Sequence, residues 1–526
     1  RTRAVLAAVV LTSITVPALH SSATAAKPVD CTVTVNGVNL ESATIPQLAA
    51  ALRSGRLTSR QLTAAYIGRI KAFDHGTVKV NAIRTLTSDA LAQADASDAR
   101  RRLHQARSDY DGIPIILKDN VGTRDAPTTA GSIALARNVP KREATLVKAL
   151  RAKGAVVLAK TNLSEFANWV DLRMPNGYSS LGGQVVNPYN GADPSGSSSG
   201  SGAGASLAYA AAAIGTETSG SILSPSDVES LVGIKPTVGL VSRTGVIPLA
   251  QSFDTAGPMA RNVTDAAYLL QAIAGRDRTD SPYDEAPGGP PIRPEYVTAL
   301  KAGALRGARL GYSPGDVSAL PADQAAIFNR ALDDLRGAGA TLVGNNTLSN
   351  EANEGVGEIG LIPNEFKYGI NHYLATEAGR GLPVRTLTGI VRYNHQHPDK
   401  VKYGQSLLQA SDATPGIYRE PTAIAGRTAV IEGSRHVIDS FLSDHHVDAY
   451  LTPGALYANI GAAAGYPTVI VPMGFVDNGT TPMGIGFLGH AWTERTLIGL
   501  AFDYERVSHR REIPTDVNPK LLAGVC

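Results

Sequence analysis

Two glycine- and serine-rich segments lie close together near the middle of this chain. The first reads Asp193-Pro-Ser-Gly-Ser-Ser-Ser-Gly-Ser-Gly-Ala-Gly204 and the second reads Gly215-Thr-Glu-Thr-Ser-Gly-Ser-Ile222. Upstream of both, the apolar run Gly112-Ile-Pro-Ile-Ile-Leu117 ends on Lys118. A serine hydroxyl becomes a good nucleophile only when a base removes its proton, and a lysine can be that base if burial keeps it neutral. The three segments therefore predict a serine hydrolase of amide bonds that needs no histidine.

The predicted catalytic residues are Lys118, Ser197 and Ser221. Lys118 follows apolar residues, so we expect it to enter the core from the end of a buried strand. Ser197 lies among glycines and serines, and it is suited to pass the proton of Ser221 to Lys118 if those two side chains do not touch. The backbone N–H groups predicted to bind the oxyanion of the tetrahedral intermediate are those of Thr218, Ser219, Gly220 and Ser221.

Composition and charge exclude few functions. The chain has 526 residues, enough for a large core, and its 43% hydrophobic and 18% charged residues are ordinary for a globular protein. A net charge of +3 is too weak to favour nucleic acid or a membrane surface, so we expect neither as a partner. We also expect no cofactor, no metal, and a monomer that acts on a small-molecule or peptide amide.

The N-terminal segment has the pattern of a secretory signal peptide. Two arginines precede an apolar stretch over 4–19, and small residues follow it. This order of charged, apolar and small residues predicts a signal peptide over 1–26, cut near Ala25 or Ala26, and export of the mature chain 27–526. A short apolar helix is the alternative interpretation.

The chain has only two cysteines, Cys31 and Cys526. In an exported protein an isolated pair is a candidate disulfide, which would here join the two ends of the mature chain. Two unpaired thiols are an equally good interpretation, because a disulfide depends on geometry that the sequence does not contain.

Apolar periodicity predicts alternating helices and strands. The predicted helices span 45–55 and 58–73 with Thr44 and Thr58 as N-caps, 88–107 with Ser88 as N-cap, 143–153, 203–213, 261–275 and 322–338. The predicted strands span 112–117, 155–159, 308–312, 447–451, 468–471 and 485–488. The stretch 276–296 is predicted to be a loop, and the more polar stretch 349–450 is predicted to form helices over the site. Strands near both ends of the chain favour one α/β domain over two.

Three further motifs complete a recognisable pattern. They are Gly233-Ile-Lys-Pro-Thr237, Asp254-Thr-Ala-Gly-Pro-Met259 and Ala464-Gly-Tyr-Pro-Thr-Val-Ile-Val-Pro472. Together with the Lys118 strand end and the two serine-rich segments, in this order, they make the chain resemble the amidase signature family over nearly all of 27–526.

The resemblance implies a fold, an activity and residue roles. The family fold is a single α/β domain with a large twisted mixed β-sheet covered by helices on both faces, and the family activity is hydrolysis of linear amide C–N bonds. By position, Ser221 would be the acylated nucleophile and Lys118 the base. Ser197 would be the bridging serine, preceded by a cis peptide bond from Gly196.

Within the family, two segments look like secreted bacterial peptide amidases. They are Thr161-Asn-Leu-Ser-Glu-Phe-Ala-Asn168 and Lys235-Pro-Thr-Val-Gly-Leu-Val-Ser-Arg243. That likeness implies C-terminal carboxamides of peptides as substrates, with release of ammonia. Esters, aryl amides or another small carbonyl substrate are alternatives, and so is a binding protein that kept the fold without catalysis.

Four residues near the predicted nucleophile depart from the family pattern and leave the substrate open. Ser219 stands where an acidic residue or glycine is common, and Leu223 stands where many relatives have arginine. Asp227 and Glu229 add acidic groups just beyond it.

Competing motifs explain the same segments less well. Gly196-Ser-Ser-Ser-Gly200 satisfies G-x-S-x-G, which would make Ser198 the nucleophile of an α/β-hydrolase, and 200–205 approximates a dinucleotide-binding fingerprint. Both motifs require a strand directly before them, and 185–194 is predicted to be turn and loop. The close histidine pairs, His395 with His397 and His445 with His446, lack the spacing of a zinc site.

Overall fold

The structure is a computed structural model that describes residues 34–280, 295–344, 348 and 356–523. The predicted signal peptide, both cysteines and most of the predicted 276–296 loop lie outside the described residues. The strands are β1 (Thr34–Val35), β2 (Val38–Asn39), β3 (Ile83–Leu86), β4 (Pro114–Lys118), β5 (Val156–Thr161), β6 (Tyr178–Ser179), β7 (Gly183–Gln184), β8 (Ala212–Glu217), β9 (Val232–Lys235), β10 (Thr255–Ala260), β11 (Arg309–Tyr312), β12 (Thr341–Gly344), β13 (Ala449–Pro453), β14 (Thr468–Val476) and β15 (Thr481–Leu488).

Sixteen α-helices accompany these strands in the part of the chain that the structure describes. The helices are α1 (Ile45–Arg53), α2 (Ser59–Phe73), α3 (Ala90–Arg102), α4 (Thr145–Ala152), α5 (Ser199–Ser206), α6 (Leu223–Val228), α7 (Val263–Ile273), α8 (Pro314–Ala319), α9 (Ala322–Gly337), α10 (Val356–Thr376), α11 (Leu387–His395), α12 (Ser406–Ala413), α13 (Pro421–Asp444), α14 (Ala458–Ala464), α15 (Glu494–Ser508) and α16 (Pro514–Val517).

Eleven of the strands form one mixed sheet in the order β12-β11-β13-β15-β14-β9-β10-β8-β4-β5-β3. β4 pairs in parallel with both β5 and β8, and β11 pairs in parallel with β12 and β13. The other neighbours are antiparallel. Every residue of β4, β5, β8 and β10 is buried, so both faces of the sheet are covered there. The predicted fold, a single α/β domain with a large mixed sheet, is confirmed.

The first two helices begin where local sequence predicts. Thr44 and Thr58 each accept a hydrogen bond from the backbone N–H of the glutamine three residues later, and each glutamine side chain accepts the threonine N–H in return. The predicted cap of α3 is wrong. Ser88 does not cap that helix, which begins at Ala90 after Asp89, and its hydroxyl donates instead to the carbonyl of Asp125.

The predicted helix over 203–213 is also wrong in part. The helix is α5, which ends at Ser206, and the chain reverses through Ala208, whose φ is +53°. The following alanines then extend as β8 and pair with β4 and β10. Alanine favours helices, but its small side chain also fits a fully buried strand, and here the sheet contacts outweigh local propensity.

The stretch predicted to form helices over the site contains α10, α11, α12 and α13. The α10 residues Phe366 and Ile370 lie in a second hydrophobic core with Trp169, Ile247 and Phe253. This core packs α10 against the segment around Trp169 and the segment 247–253, which precede and follow the two predicted catalytic serines in the chain. Within the described part of the chain, no helix combines the length and hydrophobicity needed to cross a bilayer.

Candidate active site

Lys118 is the last residue of β4 and is completely buried. Its Nζ donates to Ser197 Oγ at 2.7 Å and to the Thr216 carbonyl at 3.0 Å. Burial lowers the pKa of Lys118 from 10.5 to about 7, although the carboxylates of Asp254 and Glu217 act to raise it. A substantial fraction of this lysine is therefore neutral near pH 7, which is the state that a general base requires.

Ser197 is held in a crowded loop before α5. The peptide bond between Gly196 and Ser197 is cis, as the resemblance implied, and the Ser197 carbonyl accepts the backbone N–H of Ser164 at 3.1 Å. Any side chain at position 196 would clash, since a Cβ there would lie 2.6 Å from Ser164 Oγ and 3.0 Å from Asn168 Nδ2. A side chain at position 196 would thus displace Ser164 or Asn168 in the loop that carries Ser197.

Ser221 lies on the turn that follows β8, and only 5% of it is exposed. Its carbonyl accepts the backbone N–H of Ser198 at 3.2 Å, which joins the two serine-rich loops directly. The structure therefore brings Lys118, Ser197 and the Ser221 turn together. The first contact of the predicted relay, between Lys118 and Ser197, is a hydrogen bond. The hydroxyls of Ser197 and Ser221 are not hydrogen-bonded to each other in the described structure.

Two buried carboxylates shape the turn that carries Ser221. Glu217 Oε2 accepts the backbone N–H groups of Ile222 and Leu223 at 2.7 and 3.0 Å. Thr218 Oγ1 donates to Asp254 Oδ1 at 2.5 Å. Among the four predicted oxyanion donors, the N–H groups of Thr218, Ser219 and Ser221 donate to no other described group, so they are available to a developing negative charge.

Ser198, the nucleophile of the competing interpretation, is engaged elsewhere. Its Oγ is buried, donates to the Thr216 carbonyl at 3.0 Å and accepts the Thr216 N–H at 3.2 Å. The segment 185–194 before the loop contains no strand, and no described histidine bonds to this hydroxyl. The geometry of a nucleophile elbow is absent here.

A cavity of about 350 Å³ adjoins the relay. It begins at Thr216, whose carbonyl holds Lys118, and at Thr218, but Lys118 and the two serines do not line it. Its lining residues are Asn120, Arg142, Ala167, Thr216, Thr218, Arg243, Thr244, Gly245, Val246, Ile247, Pro248, Leu249, Gln251, Asp254, Thr255, Ala256, Thr279, Asp280, Tyr368, Gly369, His372, Tyr373, Glu377 and Arg419. A volume of this size accommodates a small organic group beside the relay.

Comparison with known proteins identifies the family. A family model named Amidase matches residues 61–354, more than half of the chain. A protein of Arabidopsis thaliana named probable amidase is 36% identical over 495 residues, which cover 90% of this chain and 92% of the relative. The chain belongs to the amidase signature family.

Solved structures of peptide amidases resemble this amidase over nearly their whole length. The native peptide amidase of Stenotrophomonas maltophilia has a TM-score of 0.83 and 38% identity, covering 90% of this chain and 98% of that one. The peptide amidase PAM in complex with the competitive inhibitor chymostatin has a TM-score of 0.84 and 38% identity, covering 90% and 99%. The predicted family and enzyme class are confirmed: this protein is a hydrolase of amide C–N bonds.

The four departures from the family pattern occupy different environments in this amidase. Ser219 is exposed, whereas Leu223 is buried in a small apolar cluster. Asp227 accepts the Gly484 N–H at 2.6 Å, and burial raises its pKa to about 7. Glu229 is fully buried, neither carboxyl oxygen has a hydrogen-bond partner among the described residues, and burial raises its pKa well above 4.5.

Roles for Asn120 and Asp254 were not predicted from the sequence. Asn120 Nδ2 donates to Thr216 Oγ1 at 2.9 Å and so joins the turn after β4 to the residue whose carbonyl accepts from Lys118. Asn120 lies on the turn after β4, in which the Val121 N–H donates to the Lys118 carbonyl at 2.9 Å, and its place directly after the strand end was the available signal. The paired histidines make ordinary surface contacts, and the described ranges contain no group of three metal-binding side chains.

Proposed function

We propose that this amidase hydrolyses C-terminal carboxamides of peptides through a relay of Ser221, Ser197 and Lys118. The observation that carries the proposal is the completely buried lysine that donates to Ser197 Oγ at 2.7 Å. A neutral lysine in that position accepts a proton from Ser197, and Ser197 in turn accepts one from Ser221. Neither a histidine nor a metal ion is needed for this activation.

The reaction balances in two stages. Ser221 Oγ attacks the carboxamide carbon while its proton passes through Ser197 to Lys118, and backbone N–H groups of 218–221 bind the oxyanion. When the C–N bond breaks, the proton returns through Ser197 to the leaving nitrogen, which departs as ammonia. Water then attacks the acyl-enzyme, gives its proton to the same relay, and releases a carboxylic acid and Ser221.

The peptide carboxamide is proposed as substrate on two grounds. The neighbouring solved structures named above are peptide amidases with 38% identity over nearly the whole chain. The cavity beside the relay also has room for part of a peptide, whereas the departing ammonia needs little space.

Export of the mature enzyme is part of the proposal. It rests on the charged, apolar and small residues of 1–26. Expression of the full chain in a secreting bacterial host, followed by N-terminal sequencing of the protein in the medium, tests it. A mature start near residue 27 supports export, and retention of the uncut chain in the cell contradicts it.

Labelling with a fluorophosphonate probe tests the nucleophile. Mass spectrometry should find the label on Ser221, and Ser221→Ala should lose both labelling and ammonia release while staying folded. Ser198→Ala is the matched control on the neighbouring loop and should still be labelled at Ser221. Label on Ser198, or none on well-folded protein, contradicts the mechanism.

Ammonia release from an amidated dipeptide tests the substrate. Hydrolysis of the dipeptide amide should exceed that of an aryl ester or an aryl amide of the same acyl group. A faster reaction with the ester or aryl amide would assign the enzyme to the alternative substrate class.

A further inference from the structure

Asp254 begins one of the family motifs of this chain, yet the catalytic relay does not use it. It lies directly before β10 and lines the cavity beside the relay. Its carboxyl group lies between the segment 249–254 and the turn 218–221, which we call the oxyanion turn. Partial burial of a charge costs free energy, so this carboxylate needs either partners or a function.

Every described contact of the Asp254 carboxyl oxygens is with a hydrogen-bond donor. Oδ1 accepts from Thr218 Oγ1 at 2.5 Å, and Oδ2 accepts from the backbone N–H groups of Leu249 and Ala250 at 2.8 and 3.1 Å. Burial raises the pKa of Asp254, and these three donors act against burial because they stabilise the ionised form. The charged carboxylate is the form that this set of donors fits.

No cation of the described structure forms an ion pair with Asp254. The guanidinium of Arg243 pairs with Asp280 at 2.7 Å, and its Nη1 lies 3.4 Å from the backbone carbonyl of Asp254, to which it donates. Arg142, which also lines the cavity, pairs with Glu377. The negative charge of Asp254 is therefore held by hydrogen bonds and is not neutralised by a direct ionic partner.

The charge of Asp254 acts on the catalytic lysine. Burial lowers the pKa of Lys118 to about 7, and the two carboxylates that act against burial are Asp254 and Glu217. The groups that accept hydrogen bonds from Lys118 Nζ, Ser197 Oγ and the Thr216 carbonyl, carry no charge. When Lys118 takes up a proton it becomes a buried cation, so the two carboxylates supply the charge that stabilises it.

The same carboxylate fixes one end of the oxyanion turn. Thr218 Oγ1 donates to Asp254, while the Thr218 N–H donates to no other described group and stays available to the oxyanion. The backbone of Leu249 and Ala250 holds the other carboxyl oxygen, so Asp254 ties the turn to the neighbouring segment. Displacement of an oxyanion donor lowers the rate strongly, because the donor acts on charge that develops in the transition state.

We propose that Asp254 is a positioning residue of the amidase reaction, which fixes Thr218 in the oxyanion turn and stabilises the proton that Lys118 takes up during acylation. The inference rests on the proposed function, because only a lysine that accepts a proton in the reaction gains from a nearby carboxylate. Asp254 exchanges no proton itself. The proton passes from Ser221 through Ser197 to Lys118 and returns by the same path to the leaving nitrogen.

Asp254→Asn removes the negative charge and tests its effect on the base. The rate at which a fluorophosphonate acylates the variant should still rise with pH, but the midpoint of the rise should move to lower pH, because protonated Lys118 has lost a stabilising charge. A residue that only supports the fold would lower the rate without moving the midpoint. An unchanged midpoint in Asp254→Asn protein that is folded by circular dichroism overturns the inference.

Thr218→Val removes the hydrogen bond to Asp254 and leaves the charge in place. We expect kcat for ammonia release from an amidated dipeptide to fall by about 10- to 100-fold, with KM and the pH midpoint little changed, because the oxyanion turn loses its anchor. Thr218→Ser keeps a hydroxyl and should restore most of that loss. A wild-type kcat in Thr218→Val, or a loss expressed only in KM, contradicts the positioning role.

Glu365→Gln is the matched control, because Glu365 is a buried carboxylate that holds the same segment. Its carboxyl oxygens accept from the hydroxyl and the N–H of Ser252 at 2.6 and 3.0 Å. It does not line the cavity, and it is not one of the carboxylates that raise the pKa of Lys118. This variant should keep the wild-type midpoint and kcat. If it moves the midpoint as Asp254→Asn does, the effect comes from the packing of the segment and the inference is wrong.

The outcomes separate this inference from the proposed function. If the wild-type enzyme is labelled on a residue other than Ser221, or releases no ammonia from the amidated dipeptide, the proposed function fails. If Ser221 is labelled and ammonia is released, but Asp254→Asn keeps the wild-type midpoint, only the role of Asp254 fails. A midpoint at lower pH in Asp254→Asn, together with a lower kcat in Thr218→Val, supports both.

Discussion

Replacing Lys118 by methionine should make the protein more stable near neutral pH while abolishing activity. Burial holds the pKa of Lys118 at about 7, against 10.5 in the unfolded chain. At 1.36 kcal/mol per pKa unit, this difference costs the folded state about 5 kcal/mol. Lys118→Met removes that cost but leaves Ser197 Oγ without its donor, a loss of about 1–3 kcal/mol. We therefore expect a net gain of about 2–4 kcal/mol at pH 7.

The sign of the pH dependence follows from the proton balance. Between pH 7 and 10.5 the unfolded chain binds a proton at this lysine that the folded chain does not bind, so this group makes wild-type stability rise with pH. The advantage of Lys118→Met should therefore shrink by about 2–3 kcal/mol between pH 7 and pH 9. Chemical denaturation of both proteins at the two pH values measures it.

Lys160→Met is the matched control, because Lys160 is equally buried at the end of the neighbouring strand. Its Nζ lies 3.1 Å from the buried carboxylate of Asp119, which also pairs with Arg84 at 3.1 Å, so removing Lys160 breaks one of two ion pairs to a buried carboxylate and should destabilise the protein at both pH values. If Lys118→Met is destabilising at both pH values and its effect does not change with pH, then Lys118 is not a strained, partly neutral lysine.

Two further predictions concern residues around the site. Gly200→Ala in α5 should destabilise the protein by more than about 2 kcal/mol, because the new Cβ would overlap the backbone carbonyls of Ala82 and Asn162. Gly68→Ala, at an open position of α2, should instead stabilise by about 1 kcal/mol, and thermal melts that fail to rank them in this order would contradict the packing around α5. Glu229→Gln should raise stability more at pH 8 than at pH 4, because burial raises the pKa of Glu229 well above its value of 4.5 in the unfolded chain, so this carboxyl makes wild-type stability fall as pH rises; equal effects at both pH values in denaturation curves would contradict this.

Local signals were predictable from the sequence. The two capping boxes at Thr44 and Thr58 depend on residues three positions apart, and they start α1 and α2 as expected. Lys118 was expected at the end of a buried strand because apolar residues precede it, and it is there. The catalytic candidates were also recognisable from their family motifs, because the order of those motifs can be read from the sequence without knowing the structure.

Contacts between distant segments were not predictable in the same way. β10 was not predicted as a strand, because Gly257 and Pro258 disguise its pattern, and its pairing with β8 and β9 reveals it. Tyr368, His372 and Tyr373 line the cavity beside the relay from α10, about 150 residues after Ser221 in the chain. Nothing in the local pattern of Tyr368 or His372 shows which side of the helix faces the relay.

The rate at which a fluorophosphonate acylates Ser221, measured against pH, tests the central claim most directly. If a neutral Lys118 takes the proton through Ser197, the wild-type rate should rise with pH along a limb with a midpoint near 7 and then level off. Lys118→Ala should react far more slowly and lack that limb. A limb of the same midpoint in Lys118→Ala would place the base elsewhere and contradict the account.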